Sequence, residues 1–136
     1  MKIVNFAEMN SELNRFVAEI RDIHIQQDRL RFRKNLERIG EVMSYEISKD
    51  FRYSEKLVTT PLGTARVNTA DDKIVIGTIL RAGIPYHQGF LNYFDRAENA
   101  FVSAYRKYKD KLNFEIFIEY IASPRIDGKI LILTDP

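Results

Sequence analysis

The sequence contains no cysteine, which removes disulfide frameworks, thiolate metal sites and cysteine nucleophiles from consideration. It also lacks any large excess of one charge. Twenty-one Lys and Arg against 19 Asp and Glu leave a formal net charge of +2, too small to point to a nucleic-acid partner. No apolar run approaches the roughly 20 residues of a membrane-crossing helix. Met1-Lys2-Ile3-Val4 lacks the apolar core of a secretion signal. There is no internal repeat, no low-complexity segment and no glycine-rich phosphate cradle among the 136 residues. His24 and His87 are isolated, without metal-ligand spacing to a second ligand. The expectation is a soluble cytoplasmic protein with no membrane association, and the missing cysteines fit a reducing compartment.

What remains is an ordinary globular composition, 45% hydrophobic and 29% charged, long enough for one domain spanning 1–136 with a real core. Asn10 and Ser11 are candidate N-caps. From Leu13, the residues Phe16, Val17, Ile20 and Ile23 recur at helical spacing. A second helix is expected to start near Asp28, with Phe32, Leu36, Ile39 and Met43 on one face. Residues 56–60 and 64–68 then read as a hairpin about Pro61-Leu62-Gly63.

Asp71-Asp72 reads as a turn before a buried-type strand over 74–80, which ends at Arg81-Ala82-Gly83. Pro85 suits the first turn of a helix through Phe90, Leu91 and Phe94. Further strands are expected over 100–104, 114–121 and 129–133, the last ending in Thr134-Asp135-Pro136. This rhythm predicts an α/β fold with a parallel sheet. Residues 1–70 would supply N-terminal helices and a hairpin, and 71–136 the first part of the sheet core.

Three of these strands end in charge, at Arg81, Arg106 and Asp135. In open α/β sheets ligands bind outside the carboxyl ends of parallel strands. If the strands are neighbours, two guanidiniums and one carboxylate meet there. Arg donates paired hydrogen bonds to phosphate oxygens, and a carboxylate accepts from sugar hydroxyls. From pattern alone, polar loops that happen to follow strands explain the three charges equally well.

The residues themselves carry a resemblance. Ile79-Leu80-Arg81-Ala82-Gly83 resembles the diphosphate loop of the uracil phosphoribosyltransferases, and Tyr105-Arg106 their second diphosphate-binding arginine. Leu131-Ile132-Leu133-Thr134-Asp135-Pro136 resembles the strand and opening of their phosphoribosyl-diphosphate motif, where this branch has Pro in place of a second acidic residue. Arg31-Phe32-Arg33 and Glu41-Val42-Met43-Ser44-Tyr45-Glu46 resemble its N-terminal helix. Each motif is weak alone; their order and spacing cover nearly the whole chain. Gly83-Ile84-Pro85-Tyr86-His87 departs from the family in having Pro and bulky residues where many relatives have small ones.

The resemblance implies a phosphoribosyltransferase-type parallel sheet flanked by helices and incomplete at the C-terminus. It implies transfer from 5-phosphoribosyl 1-diphosphate to uracil, giving UMP and diphosphate. Substrate-binding residues would be Arg81, Ala82, Gly83, Arg106, Asp135 and Pro136. Mg²⁺ would arrive mainly on the diphosphate, with no metal site of the protein's own. A homodimer is implied, and GTP is admitted as an effector. The loop is expected to offer a non-prolyl cis peptide at Arg81-Ala82. The family's phosphate cradle and base pocket would follow Asp135-Pro136, so these 136 residues alone are expected to have no turnover. Two alternatives stay open: a nucleotide-sensing or RNA-binding regulator on the same fold, and a non-catalytic truncated paralogue.

Other residues read more plainly. Residues 105–111 would form a mobile loop beside the diphosphate site. Glu115 and Glu119 fall on an exposed hairpin face rather than forming a catalytic pair, in a segment that the resemblance makes part of a flap over the active site. His87 reads as a helix-surface histidine within a turn of Gly83.

Overall fold

The computed structural model describes residues 2–108 and 113–136, without the side chains of Arg106, Tyr108 and Phe114. Helix α1 spans Leu13–Arg21. Neither Asn10 nor Ser11 caps it: the N-cap position is Glu12, which makes no side-chain cap hydrogen bond. Ile23 falls beyond the helix and is exposed, because the chain turns extended at Asp22. Helix α2, Arg29–Ser48, starts where the Asp28 carboxylate accepts from the backbone N–H groups of Leu30 and Arg31. Leu36 and Ile39 are buried, and Phe32 and Met43 pack beside them, so the anticipated apolar face is the core face.

Glu19 joins the two helices. Its carboxylate accepts from the fully buried Asn35 amide at 2.7 Å, from Arg15 at 3.0 Å and from Arg31 at 3.4 Å. The Asn35 hydrogen bond first, then the two arginines, holds the Glu19 carboxyl below its ordinary range.

Strands β1, Tyr53–Thr60, and β2, Gly63–Ala70, form an antiparallel hairpin longer at both ends than expected. Its base is anchored by Asp72, which accepts from the Arg52 backbone at 2.7 Å and from the Arg52 guanidinium at 2.8 Å. The turn needs Gly63, whose φ of 129° lies in the region that favours glycine.

The main sheet has the order β5–β4–β3–β6. Strand β3, Ile74–Leu80, pairs in parallel with β4, Glu98–Tyr108, on one side and with β6, Ile130–Thr134, on the other. Strand β5, Phe114–Ala122, runs antiparallel along β4, with an irregularity at Ser103/Ala104. The fold is thus α/β with a mostly parallel sheet. Val75 and Ile76 are fully buried, as the continuous apolar run of a central parallel strand requires.

Helix α3, Ile84–Tyr93, connects β3 to β4 and packs against α2. Ile76, Ile132, Leu36, Ile39, Tyr86 and Phe90 form the shared core, each fully buried aliphatic contributing about 1.5–3 kcal/mol. On the opposite face of the sheet, Leu131 and Leu133 remain exposed. Among the described residues, no helix is long and apolar enough to cross a membrane.

The helices α2 and α3 cross at Gly40 and Gly89. A methyl on Gly89 would overlap the Glu37 carbonyl oxygen, and one on Gly40 would lie 2.6 Å from the Tyr86 carbonyl oxygen. Gly89→Ala is expected to destabilise the protein by about 3 kcal/mol, read from urea unfolding. A second prediction concerns pH. A lowered carboxyl contributes stability that is complete above its unfolded pKa, about 4.3, and is lost as pH falls through the lower folded value. Glu19→Gln should therefore be less stable than wild type at neutral pH. The two urea midpoints should draw together as pH falls below that unfolded value.

Candidate functional site

The site begins with the register of three strands. Leu80 pairs with Ser103, and Thr78 with Thr134. Arg81 therefore leaves the sheet between the strand that carries Arg106 and the strand that precedes Asp135. This is the parallel neighbourhood anticipated for the three charged ends. The loop Arg81-Ala82-Gly83 is a turn leading into α3. Gly83 donates its N–H to Ile79 O at 3.2 Å, and His87 donates its N–H to Gly83 O at 2.8 Å. Ile84 and Pro85 occupy the first two helical positions, where a missing N–H costs nothing.

Arg81 and Ala82 line a cleft of about 730 Å³ with Leu80, Ser103, Ala104, Tyr105 and Glu119. Arg81 and Ala82 are exposed while Gly83 is buried, so the turn presents its first two residues to solvent. The peptide bond Leu80–Arg81 is cis, one residue before the expected Arg81-Ala82 position. Asp135 and Pro136 are exposed just past the end of β6, beyond β3 from this cleft and outside its lining.

Position 106 continues β4 and pairs with Ile116 of β5; the Arg106 side chain lies outside the described residues. The basic stretch after Tyr105 is therefore strand as far as Tyr108, not the loop expected over 105–111. Its remaining positions 109–111 also lie outside the described residues. The cause is β5, whose antiparallel pairing extends β4 well past the last residue of β3.

Glu119 lines the cleft, besides belonging to an exposed strand face, because β5 is hydrogen-bonded to the end of β4. The β4–β5 register that places it is not local in sequence. One side chain lies where sequence reasoning did not put it. His87 is buried, not a helix-surface residue: it is 4% exposed, its Nε2–H donates to Asn99 Oδ1 at 2.7 Å, and its ring packs 5.2 Å from that of Phe101. The neighbouring Tyr86 is also buried, and desolvation pushes its phenol up to about 12.

Among the described residues, no three His, Cys, Asp or Glu side chains gather as a metal-binding group. A second hollow, about 760 Å³, opens at the opposite ends of the strands between the hairpin base and the end of α3. Three of its four carboxylates are paired with cations, Asp71 with Lys56, Asp72 with Arg52 and Glu98 with Lys129. The carboxyl-end cleft is the better candidate, since parallel strands open their ligand crevice there.

This architecture defines an α/β protein of the class that binds ligands beyond the carboxyl ends of a mostly parallel sheet. A solved structure, that of the AQ2163 protein from Aquifex aeolicus, matches with a TM-score of 0.77 and 31% identity, covering 91% of this chain and 58% of that one. A family model described as uracil phosphoribosyltransferase matches residues 9–136. Uracil phosphoribosyltransferases from two strains of Porphyromonas gingivalis are 62% identical over all 136 residues. One from Methanothermobacter thermautotrophicus is 40% identical over 107 residues, covering 77% of this chain and 49% of that protein. The chain belongs to the uracil phosphoribosyltransferase family. It spans 63% of the length of the Porphyromonas relatives.

Gly83 offers a direct test of how tightly the loop is built. A Cβ there would overlap Thr78 Oγ1 and lie 2.8 Å from Ile79 O. Gly83→Ala is expected to cost about 2 kcal/mol in urea unfolding, because a buried, hydrogen-bonded hydroxyl and a backbone carbonyl must both give way.

Proposed function

We propose that the protein containing this chain transfers the phosphoribosyl group of 5-phosphoribosyl 1-diphosphate to uracil, in pyrimidine salvage. The observation that carries this reading is the shared carboxyl end of β4, β3 and β6, in a chain of this family. Uracil N1 forms a bond to the anomeric carbon as the bond to diphosphate breaks, and the N1 proton is lost. Charge builds on the departing diphosphate, and positive charge builds on the sugar.

Arg81 suits the first, because its planar fork donates to two oxygens at once. The Arg106 position on the adjacent strand would supply a second guanidinium. Ala82 would offer its backbone to the same group, while the buried Gly83, whose N–H is given to Ile79 O and whose carbonyl accepts from His87, would hold the turn rather than the ligand. Asp135-Pro136 would face the ribose, where a carboxylate both accepts from hydroxyls and favours the cationic sugar. The reaction requires no covalent nucleophile, only positioning and charge stabilisation. Mg²⁺, when bound, would neutralise diphosphate oxygens. Asp135 supplies a single carboxylate at the strand ends, which suits a cation carried in by its substrate.

The same reading makes residues 1–136 part of one phosphoribosyltransferase domain, cytoplasmic and homodimeric, with GTP as a candidate effector. Leu57 and Leu62, 70% and 101% exposed on the hairpin, offer a second copy an apolar surface. The 136 residues hold no glycine-rich phosphate cradle, so they are expected to form no UMP on their own.

Uracil-dependent release of diphosphate by the full-length protein tests the reading. Arg81→Ala is expected to lower kcat/KM about a hundredfold, the loss typical of one preorganised donor. Wild-type protein without uracil-dependent release, or an Arg81→Ala variant at full rate, would count against it.

A further inference from the structure

Beneath the loop and the end of β6 lies one hydroxyl that touches both. Thr78 is 2% exposed, near the end of β3, on the sheet face that α3 covers. Its Oγ1–H donates to Thr134 O at 2.9 Å, crossing from β3 to β6. Thr134, 1% exposed, answers with Oγ1–H donating to Gly77 O at 3.1 Å. These two hydrogen bonds supplement the ladder at its last paired position, Thr78↔Thr134. The residue after Thr134 is Asp135.

The same Thr78 Oγ1 also fills the space in front of Gly83. It is the nearest atom to a Cβ built there, close enough to overlap it. One buried side chain is therefore wedged against the turn that carries Arg81 and Ala82, and hydrogen-bonded to the carbonyl just before Asp135. Aliphatic residues would serve packing at Thr78 and Thr134 without a buried hydroxyl to satisfy. The hydroxyls instead fix a distance between two loops.

We infer that Thr78, with Thr134 as its reciprocal partner, is a positioning residue that sets the spacing between the Arg81-Ala82-Gly83 turn and Asp135. In the transfer reaction proposed above, on which this inference rests, that spacing separates the diphosphate-holding side from the ribose-holding side. A cross-strand clamp is suited to the task, because misplacement of reacting groups by about 1 Å can cost a hundredfold in rate.

The test compares Thr78→Val, which replaces the hydroxyl by a methyl, with Thr78→Ser, which keeps it, both in the full-length protein. Thr78→Val is expected to lower kcat/KM for 5-phosphoribosyl 1-diphosphate about tenfold, and Thr78→Ser to restore most of it. Thr78→Ala gives the same comparison if the valine variant does not fold. A Thr78→Val protein with a lowered unfolding midpoint but unchanged kinetics would reduce Thr78 to a structural role and overturn the inference. If wild type itself shows no turnover, the proposed reaction fails, and amide exchange then reads the clamp alone. Joint loss of protection at residues 81–83 and at 135 in Thr78→Val supports it; a change confined to one of the two loops contradicts it.

Discussion

Helices α2 and α3 approach at Gly40 and Gly89 until neither can carry a Cβ without overlapping the other's backbone. That contact brings two helices onto one face of the sheet at the same depth. Leu36 and Ile39 from α2 then meet Phe90 and Tyr86 from α3 over Ile76 and Ile132. At the edge of the crossing, Asn92 donates to both Glu37 and Glu41 at 2.8 Å, tying the end of α3 to the middle of α2. Because α3 follows β3 after only three residues, its seating also fixes the turn that carries Arg81. The site is thus supported from the helix layer as much as from the sheet.

Charge is divided by location. Asp71, Asp72 and Glu98, at the hairpin base and the amino ends of the strands, are paired with Lys56, Arg52 and Lys129, and hydrogen bonds from Lys56 and Ser54 hold the Asp71 carboxyl below its ordinary range. Such partly exposed pairs contribute little to stability; their effect is to fix the hairpin. At the carboxyl ends, Arg81 and Asp135 are solvent-facing, on either side of a clamp formed by Thr78 and Thr134. A fold that pairs most of its acids at one end and leaves strand-end charges at the other has a polarity. That polarity matches the direction in which parallel sheets present their sites.

Much of this was legible in the sequence, for identifiable reasons. The run from Ile74 to Leu80 is apolar throughout because β3 has neighbours on both edges and Val75 and Ile76 are fully buried. Asp28 marked the start of α2 because an N-cap is a local hydrogen bond. What escaped reading depends on partners far along the chain. The end of β4 is strand because β5 pairs with it, and that register also brings Glu119 to the cleft. His87 is buried because α3 turns it onto Asn99 and Phe101, and nothing at neighbouring positions signals this. Of the candidate site, Arg81 and Ala82 line the cleft, whereas Asp135 stands on the other side of β3. The link between the two halves, through Thr78 and Thr134, is visible only once the β3–β6 register is known.

The central claim is that the carboxyl ends of β3, β4 and β6 receive a phosphorylated ligand. Backbone amide chemical shifts of the protein, followed as diphosphate and Mg²⁺ are added, test it most directly. The account predicts saturable shifts clustered at residues 81–83, 103–105 and 135. Shifts clustered instead at residues 69–73 and 93–98, around the hollow at the opposite ends of the strands, would contradict it.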